Sequence, residues 1–325
     1  MSDLLVRMRR YPAIWPALGS LLIFLVLGVM TGGLDTTSLA TAMRLATFAA
    51  LLALGQMVVV TSGDGAIDLS QIYILTLCAY VSTTLMDFNP VLGFVIAVMI
   101  GGACGLINAL VNVYLRVPAM VTTLATGYIF FTVVLVSASH MRVLPDAGFV
   151  RLVTARVGPI SVQTLIVLGV GAVLGLLLYG TRYGRQLHAV GQNREAASLA
   201  GISAASVVTR AFVLGGMLSG LAGVLAAAVM GGAFQDMGLA YFLPSVAAAF
   251  VGGTAASGGR SSVLGVIFGA LMVTLMSSSL STAESLYDLP SGVRQLVMGA
   301  FLVGVLVLSV AGAKTRRRRV GKVSA

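Results

Sequence analysis

Apolar residues in this chain come in continuous runs of about 20, the length a helix needs to cross a bilayer. Ten runs are legible, at about 15–31, 43–61, 68–86, 91–113, 119–138, 160–179, 208–230, 243–256, 262–280 and 293–311. The eighth is short and rich in glycine. A membrane β-barrel would show short segments of alternating polarity instead. The pattern therefore predicts an all-α polytopic membrane protein with about ten transmembrane helices. The chain divides into a cytoplasmic N-terminus (1–14), a transmembrane domain (15–311) with a cytoplasmic loop at 181–207, and a basic tail (312–325).

Composition agrees with the pattern. Hydrophobic residues make up 58% of the chain and charged residues 9%, where a soluble domain carries about 25% charged residues. Mean hydropathy is +1.02. Too few charges remain to build a water-facing surface. Arg7, Arg9 and Arg10 precede the first run. No small-residue cleavage site follows at the right distance, so this run reads as an uncleaved first helix.

Charge distribution sets the expected orientation. With the N-terminus inside, the inner positions hold Arg7, Arg9, Arg10, Arg116, Arg182, Arg185, Arg194, Arg210, Arg260 and the six basic residues of the tail "KTRRRRVGK". The outer positions hold Arg44, Arg142, Arg151, Arg156 and Arg294. Fifteen basic residues thus fall inside against five outside, and an even number of helices returns both termini to the cytoplasm. Asp35, Asp87, Asp146, Asp236, Glu284 and Asp288 fall outside. The tail's position after the last helix reads as anchoring on anionic lipid rather than nucleic-acid binding. The longest outer segment, 139–159, is mildly amphipathic and suits the membrane surface or a partner.

Enzymatic chemistry finds no support. The chain lacks a GxxxxGK[ST] phosphate loop and an HExxH zinc motif. His140 and His188 fall in loops on opposite sides, and no catalytic or metal-ligating set forms. Cys78 and Cys104 lie within apolar runs and read as core residues. If ATP drives this protein, another chain binds it.

Four polar features interrupt the apolar pattern. In "VVVTSGDGAIDLSQIYIL" (58–75) a glycine-rich break carries Asp64 and Asp68. Charge at mid-bilayer costs about 2.5–3.5 kcal/mol on insertion scales, so it needs a reason. One reading is a broken helix lining a solute path, with Asp64, Asp68, Ser70 and Gln71 as candidates. The other is local: Asp68 as an N-cap with Gln71 as its capping-box partner, and Asp64 at the cytoplasmic surface. A second break, "FVGGTAASGGRSSVLG" (250–265), offers Gly252, Gly253 and Thr254, either as path residues or as a tight interfacial turn. Gly216 and Gly220, with Gly215, Ser219 and Gly223, form small-residue ridges for close helix packing. Asn108 and Asn112 share one helix face and suit interhelical hydrogen bonding or solute contact.

The fourth feature is "GRQLHAVGQNREAASLAGI" (184–202), the most polar part of the interior. Asn193 suits an N-cap, "REAASLA" suits two helical turns, and Gly201 suits the C′ position. Ala196, Leu199 and Ala200 form a small apolar face. So short a helix is marginal alone in water and must rest on a body or a partner.

"EAASLAG" resembles the E-A-A-x-x-x-G pattern of the cytoplasmic loop in bacterial ABC importer permeases. The longer stretch is similar to the version in ribose/xylose/arabinose-type permeases. "SGDGAIDLS" resembles their G-G-I-D-L-S segment, and "FVGGTAASGGRSSVLGVIFGAL" their second glycine-rich stretch. The three motifs occur in family order. The resemblance implies a type II ABC importer-like permease in the bacterial inner membrane, paired with a second permease subunit. A cytoplasmic ATPase would bind ATP and Mg, and a periplasmic binding protein would deliver a small polar solute, with "IDLS" leaning toward the sugar branch. It also implies ATPase coupling through Gly191, Asn193, Glu195, Ala196, Ala197, Leu199 and Gly201. The inserted "GDGA", the "SQIY" after "IDLS", and Arg260 with Ser261 depart from the pattern. Permeases for autoinducer-2, nucleosides and branched-chain amino acids share the superfamily. An ion-coupled secondary transporter using Asp64 and Asp68 is the alternative from another class.

Overall fold

The computed structural model describes residues 13–33, 36–290 and 292–321. Arg7, Arg9, Arg10, Asp35 and Lys322, which enter the charge argument above, lie outside the described residues. The chain is mostly helical. Its helices are α1 (Ile14–Thr31), α2 (Thr36–Thr61), α3 (Gln71–Met86), α4 (Pro90–Tyr114), α5 (Ala119–Ser137), α6 (Ala147–Thr154), α7 (Val162–Gly180), α8 (Arg182–Gln192), α9 (Arg194–Leu199), α10 (Ala204–Met230), α11 (Phe242–Val251), α12 (Val263–Leu286) and α13 (Gly292–Gly321). A two-stranded antiparallel ribbon, β1 (Arg156–Val157) with β2 (Ile160–Ser161), joins α6 to α7.

Seven of these helices are long and apolar enough to span a membrane: α1, α2, α4, α5, α7, α10 and α12. Three shorter apolar helices, α3, α11 and the first part of α13, complete the set of runs seen in the sequence. At 1.5 Å per residue, α3 reaches about 24 Å and α11 about 15 Å, short of a bilayer core of about 30 Å. Both short helices adjoin the glycine-rich breaks, which consume the missing length. Boundaries differ from the expected ones where polar residues decide them. The third helix begins at Gln71 rather than 68, because Asp68 and Ser70 spend their polar groups on the turn. The eighth ends at Val251, and the ninth continues to Leu286 through hydroxyl residues that bond back to their own helix, as Thr282 does to Ser278 O. The last helix runs past residue 311 to Gly321.

Two helices form the centre. Along α2, Phe48, Leu51, Leu52, Leu54, Met57 and Val58 are fully buried. Along α10, so are Phe212, Ala222 and Leu225. α10 packs on α2, α3 and α4, while α12 packs on α1, α2 and α11. The outer helices instead expose apolar side chains: Leu22 and Val29 on α1, Met99 on α4, Ile129 and Val136 on α5, Leu176 on α7. A water-soluble protein does not expose such surface; in lipid it is the ordinary exterior.

Close backbone approach holds the centre together. Gly101 and Gly105 on α4 face Gly216, Gly220 and the Phe212 carbonyl on α10. A Cβ at Gly216 would fall inside the Gly101 carbonyl, and one at Gly220 would lie 3.0 Å from Ala97 O. Gly223 meets the Leu75 backbone of α3 in the same way. The ridges read in the sequence are therefore packing surfaces, as expected when van der Waals contact rather than hydrophobicity joins helices in lipid.

Gly216→Val should destabilise the protein by about 1–3 kcal/mol or more, because backbone cannot yield as a side chain does. Gly169→Ala on α7, where a Cβ meets nothing within 4 Å, should be neutral. Thermal unfolding of the detergent-solubilised proteins compares the two.

Candidate coupling and translocation site

The first break opens at Thr61 and closes at Gln71. Gly63, Asp64 and Gly65 take left-handed backbone angles (φ 97°, 55° and 62°) and turn the chain at the end of α2. Asp64 is a non-glycine residue in this region, where aspartate is tolerated better than most. The chain then runs extended into a buried polar set. Asp68, 1% exposed, accepts from the Ser70 backbone N–H (2.9 Å) and hydroxyl (2.6 Å). Ser70 Oγ accepts from Asn108 Nδ2 of α4 (2.7 Å), and Asn108 Oδ1 accepts from Thr126 of α5. The Asp68 N–H donates to Gln56 Oε1 (3.2 Å), and Leu69 N–H donates to Thr123 Oγ1 (3.0 Å). With its amide oriented to suit both neighbours, Gln71 donates to Leu52 O and accepts from Gln56 N. Asp68 Oδ2 has no hydrogen-bond partner among the described residues.

This geometry corrects the capping-box reading. Ser70, not Asp68, stands at the N-cap, and Gln71 is the first helical residue. Asp68 closes a local turn two residues ahead, and Gln71 faces α2 instead of reaching back.

The segment between α7 and α10 is two helices rather than one. α8 buries Gly184, Leu187 and Val190, with Tyr183 beside them. Burial pushes the Tyr183 phenol above the ordinary tyrosine range, so it stays neutral. The 183, 187, 190 spacing is a helical signal that the sequence reading passed over. α9 is capped at both ends. Asn193 Oδ1 accepts from Ala196 N–H (3.0 Å). Gly201, at φ 78°, lets Ile202 N–H reach back to Ala197 O (3.0 Å). Ala197 is buried against the body, whereas Glu195, Ala196 and Ala200 are exposed and Leu199 is 91% exposed.

The second break meets the other two. Gly258 and Gly259 have φ of 83° and 73°. Gly259 N–H donates to the Thr61 carbonyl (2.9 Å) at the end of α2. A Cβ on Gly191 would lie 2.5 Å from Gly259 N and closer still to Thr61 O; one on Gly258 would lie 2.5 Å from Gly63 Cα. Three stretches distant in sequence thus touch through bare backbone. Side chains frame the contact. Gln192 Nε2 donates to Gly259 O (3.4 Å), and His188 Nε2 pairs with Ser261 Oγ (3.3 Å). The Tyr179 hydroxyl accepts from Val263 N–H and donates to Ser261 O. Arg194, the first residue of α9, forms an ion pair with Asp64 at 2.5 Å.

The sequence-predicted residues therefore separate into groups. Asp68, Ser70, Gln71 and Asn108 belong to the buried polar set, completed by Gln56, Thr123 and Thr126. Asp64 stands apart at the surface. Asp64 and Asn112 line an open cleft of about 750 Å³ with Arg116, Arg194 and Ala204, and Asn112 donates to Val117 O (2.7 Å) to hold the α4–α5 turn. Gly252 packs on the backbone of Val266 at the α11–α12 contact. Gly253 turns the chain at φ 93°, and Thr254 is buried with no hydrogen-bond partner for its hydroxyl among the described residues. At the opposite end a cavity of about 540 Å³ is lined by Ser277, Ser278, Ser281, Thr282 and Ser285 with Arg294. The signal for it was present in "SSSLSTAES", polar residues within a helix-length run. Among the described residues no group of three or more histidine, cysteine or acidic side chains could hold a metal ion, and Cys78 and Cys104 are buried free thiols.

Lipid-facing helices, two short helices beside glycine-rich breaks and a capped polar helix at one end define a multi-pass membrane permease. The chain belongs to the family described as branched-chain amino acid transport system / permease component, whose model matches residues 38–306. It is 29% identical to the L-arabinose ABC transporter permease protein AraH of Azospirillum brasilense, over 80% of this chain and 76% of that protein. It is 29% identical to the autoinducer 2 import system permease protein LsrC of Yersinia enterocolitica, over 79% and 71%. With the D-allose transport system permease protein AlsC of Escherichia coli K12 it shares 27%, over 74% of each. No solved structure matches.

Asn108→Ala should destabilise the protein by about 1–3 kcal/mol, the cost of stranding buried polar groups, here the Ser70 and Thr126 hydroxyls. Asn112→Ala, half-buried and bonded to one turn carbonyl, should cost less. Melting temperatures in detergent rank the two.

Proposed function

We propose that this chain is the transmembrane subunit of an ATP-driven, binding-protein-dependent importer for a sugar or a similarly small polar solute in the bacterial inner membrane. The observation that carries the reading is α9. It is a capped helix, too short to stand alone, with one side seated on the body and Leu199 almost wholly exposed. Its exposed Ala196, Leu199 and Ala200 form the contact for a separate cytoplasmic ATPase, which binds ATP and Mg and hydrolyses it.

Sidedness supports this arrangement. Arg116, Arg194 and Asp64 share one cleft at the α9 end. The Asp87–Arg142 pair joins loops at the opposite helix ends, and the Glu284–Arg294 pair joins the end of α12 to the start of α13 there. In the proposed orientation α9 and the basic end face the cytoplasm, ten helices cross, and both termini lie inside. Asp146 caps α6 by accepting from Phe149 N–H, fixing the outer segment where a periplasmic binding protein would arrive. A second permease subunit, identical or not, completes the path. The relatives that import L-arabinose and D-allose favour a sugar; those that import autoinducer-2 make that solute the second reading.

An ion-coupled transporter built on Asp64 and Asp68 has less support. Asp68 is buried with Oδ1 bonded to Ser70, and Asp64 is already paired with Arg194.

Leu199→Asp and Ala196→Arg should each weaken ATPase association by about 2 kcal/mol or more, roughly 30-fold, as for a hot-spot residue, while membrane insertion is unchanged. Co-purification with the partner ATPase, and ATP-dependent solute uptake in proteoliposomes, measure it. Unaltered association in both variants would overturn the docking contact.

A further inference from the structure

The Asp64–Arg194 pair carries more than its surface position suggests. Asp64 sits at the tip of the first break, between two glycines that share its left-handed conformation. Aspartate is among the residues that accept this conformation, and here its carboxylate meets Arg194. Arg194 opens α9 directly after the cap residue Asn193. Its Nη1 lies 2.5 Å from Asp64 Oδ2. A glycine contact lies close by, between Gly63, next to Asp64, and Gly191, three residues before Arg194, with a Gly63 Cβ position only 3.0 Å from Gly191 Cα. The first break and the α8–α9 junction are therefore clamped twice, by backbone contact and by charge.

The clamp joins an element exposed to a partner with one buried in the membrane domain. From Asp64 the chain passes within four residues to Asp68, Ser70 and the buried set that fixes α3, α4 and α5. Without the pair, α9 is held to the first break by backbone contact alone; with it, displacement of α9 also pulls through charge on the turn that sets the start of α3. Folding does not need the pair: the side chains are 37% and 65% exposed, and ion pairs in that setting add little stability. We infer that Asp64 and Arg194 are positioning residues for coupling, linking movement of α9 to the break between α2 and α3. The inference rests on the proposed docking of α9 to an ATPase.

Conservative variants separate the roles. Asp64→Asn removes the charge while keeping a residue that accepts the left-handed backbone. Arg194→Gln removes the other charge, and Arg194→Lys retains it. The full complex, in proteoliposomes with its ATPase and solute-loaded binding protein, is assayed for solute moved per ATP hydrolysed. Asp64→Asn and Arg194→Gln should each lower that ratio about two- to fivefold, the scale of an exposed ion pair. ATPase co-purification and melting temperature should stay at wild-type values. Arg194→Lys should keep most of the ratio. The double variant Asp64→Asn/Arg194→Gln should be no worse than either single one, the mark of one shared interaction. Singles that leave the ratio unchanged, or losses that multiply in the double variant, overturn the inference while leaving the proposed function in place. A wild-type complex with no ATP-dependent uptake overturns the proposed function itself.

Discussion

Everything at the α9 end depends on a backbone contact that excludes side chains. Gly63, Gly191, Gly258 and Gly259 bring the first break, the end of α8 and the second break within van der Waals distance, and Gly259 N–H bonds Thr61 O across the gap. A broken helix in a membrane protein leaves peptide groups that lipid cannot satisfy. Here one break supplies the donor that the other break's helix end lacks. Any side chain at the contact would cost that bond. The same closeness leaves no rotamers to absorb a shift, so movement in one segment must be met by the others.

A second constraint lies deeper. Asp68 does not stand alone as a mid-membrane charge; it organises Ser70, which meets Asn108 and then Thr126. Three helices are thereby held at one point by side-chain bonds in a medium that offers few alternatives. These buried polar residues bond to one another, with Asp68 Oδ2 left without a partner among the described residues, and in their places they set where α3 starts. The glycine ridges of α10 act in the same direction on α3 and α4, so the centre is held by polar bonds and bare backbone contact, with large apolar residues filling between. Open polar space lies elsewhere, in the cleft beside Asp64 and the hydroxyl-lined cavity beside Arg294.

Much of this was readable beforehand, for reasons that differ by element. Long apolar runs report spans because lipid imposes one solution on the backbone. The glycine ridges from Gly215 to Gly223 report packing because a helix fixes their common face. Asn193 and Gly201 report the bounds of α9 because caps are local chemistry. What stayed hidden is nonlocal or finely balanced. "DLSQ" fits a capping box in spacing, but Asp68 bonds Ser70 two residues on, and Ser70 stands at the N-cap position without a side-chain cap bond. α8 was missed since its polar residues masked the short period of Tyr183, Leu187 and Val190. The convergence of three glycine-bearing stretches has no signature within any one of them.

The polarity of 184–202 follows from these constraints. One face of α9 and α8 is already committed to the body through Ala197, Leu187 and Val190, so its remaining surface is not idle packing. A six-residue helix forms poorly by itself, yet this one has its N-cap bond, its αL glycine and an ion pair in place before any partner arrives. A partner that meets it need not supply the ordering free energy that a disordered loop would cost on binding. Preformation also makes the contact directional: a loop would yield under a partner's push, whereas a capped helix clamped to two breaks passes the push inward. In a chain with no phosphate-binding loop of its own, that is the property a driven permease requires of its one polar interior segment.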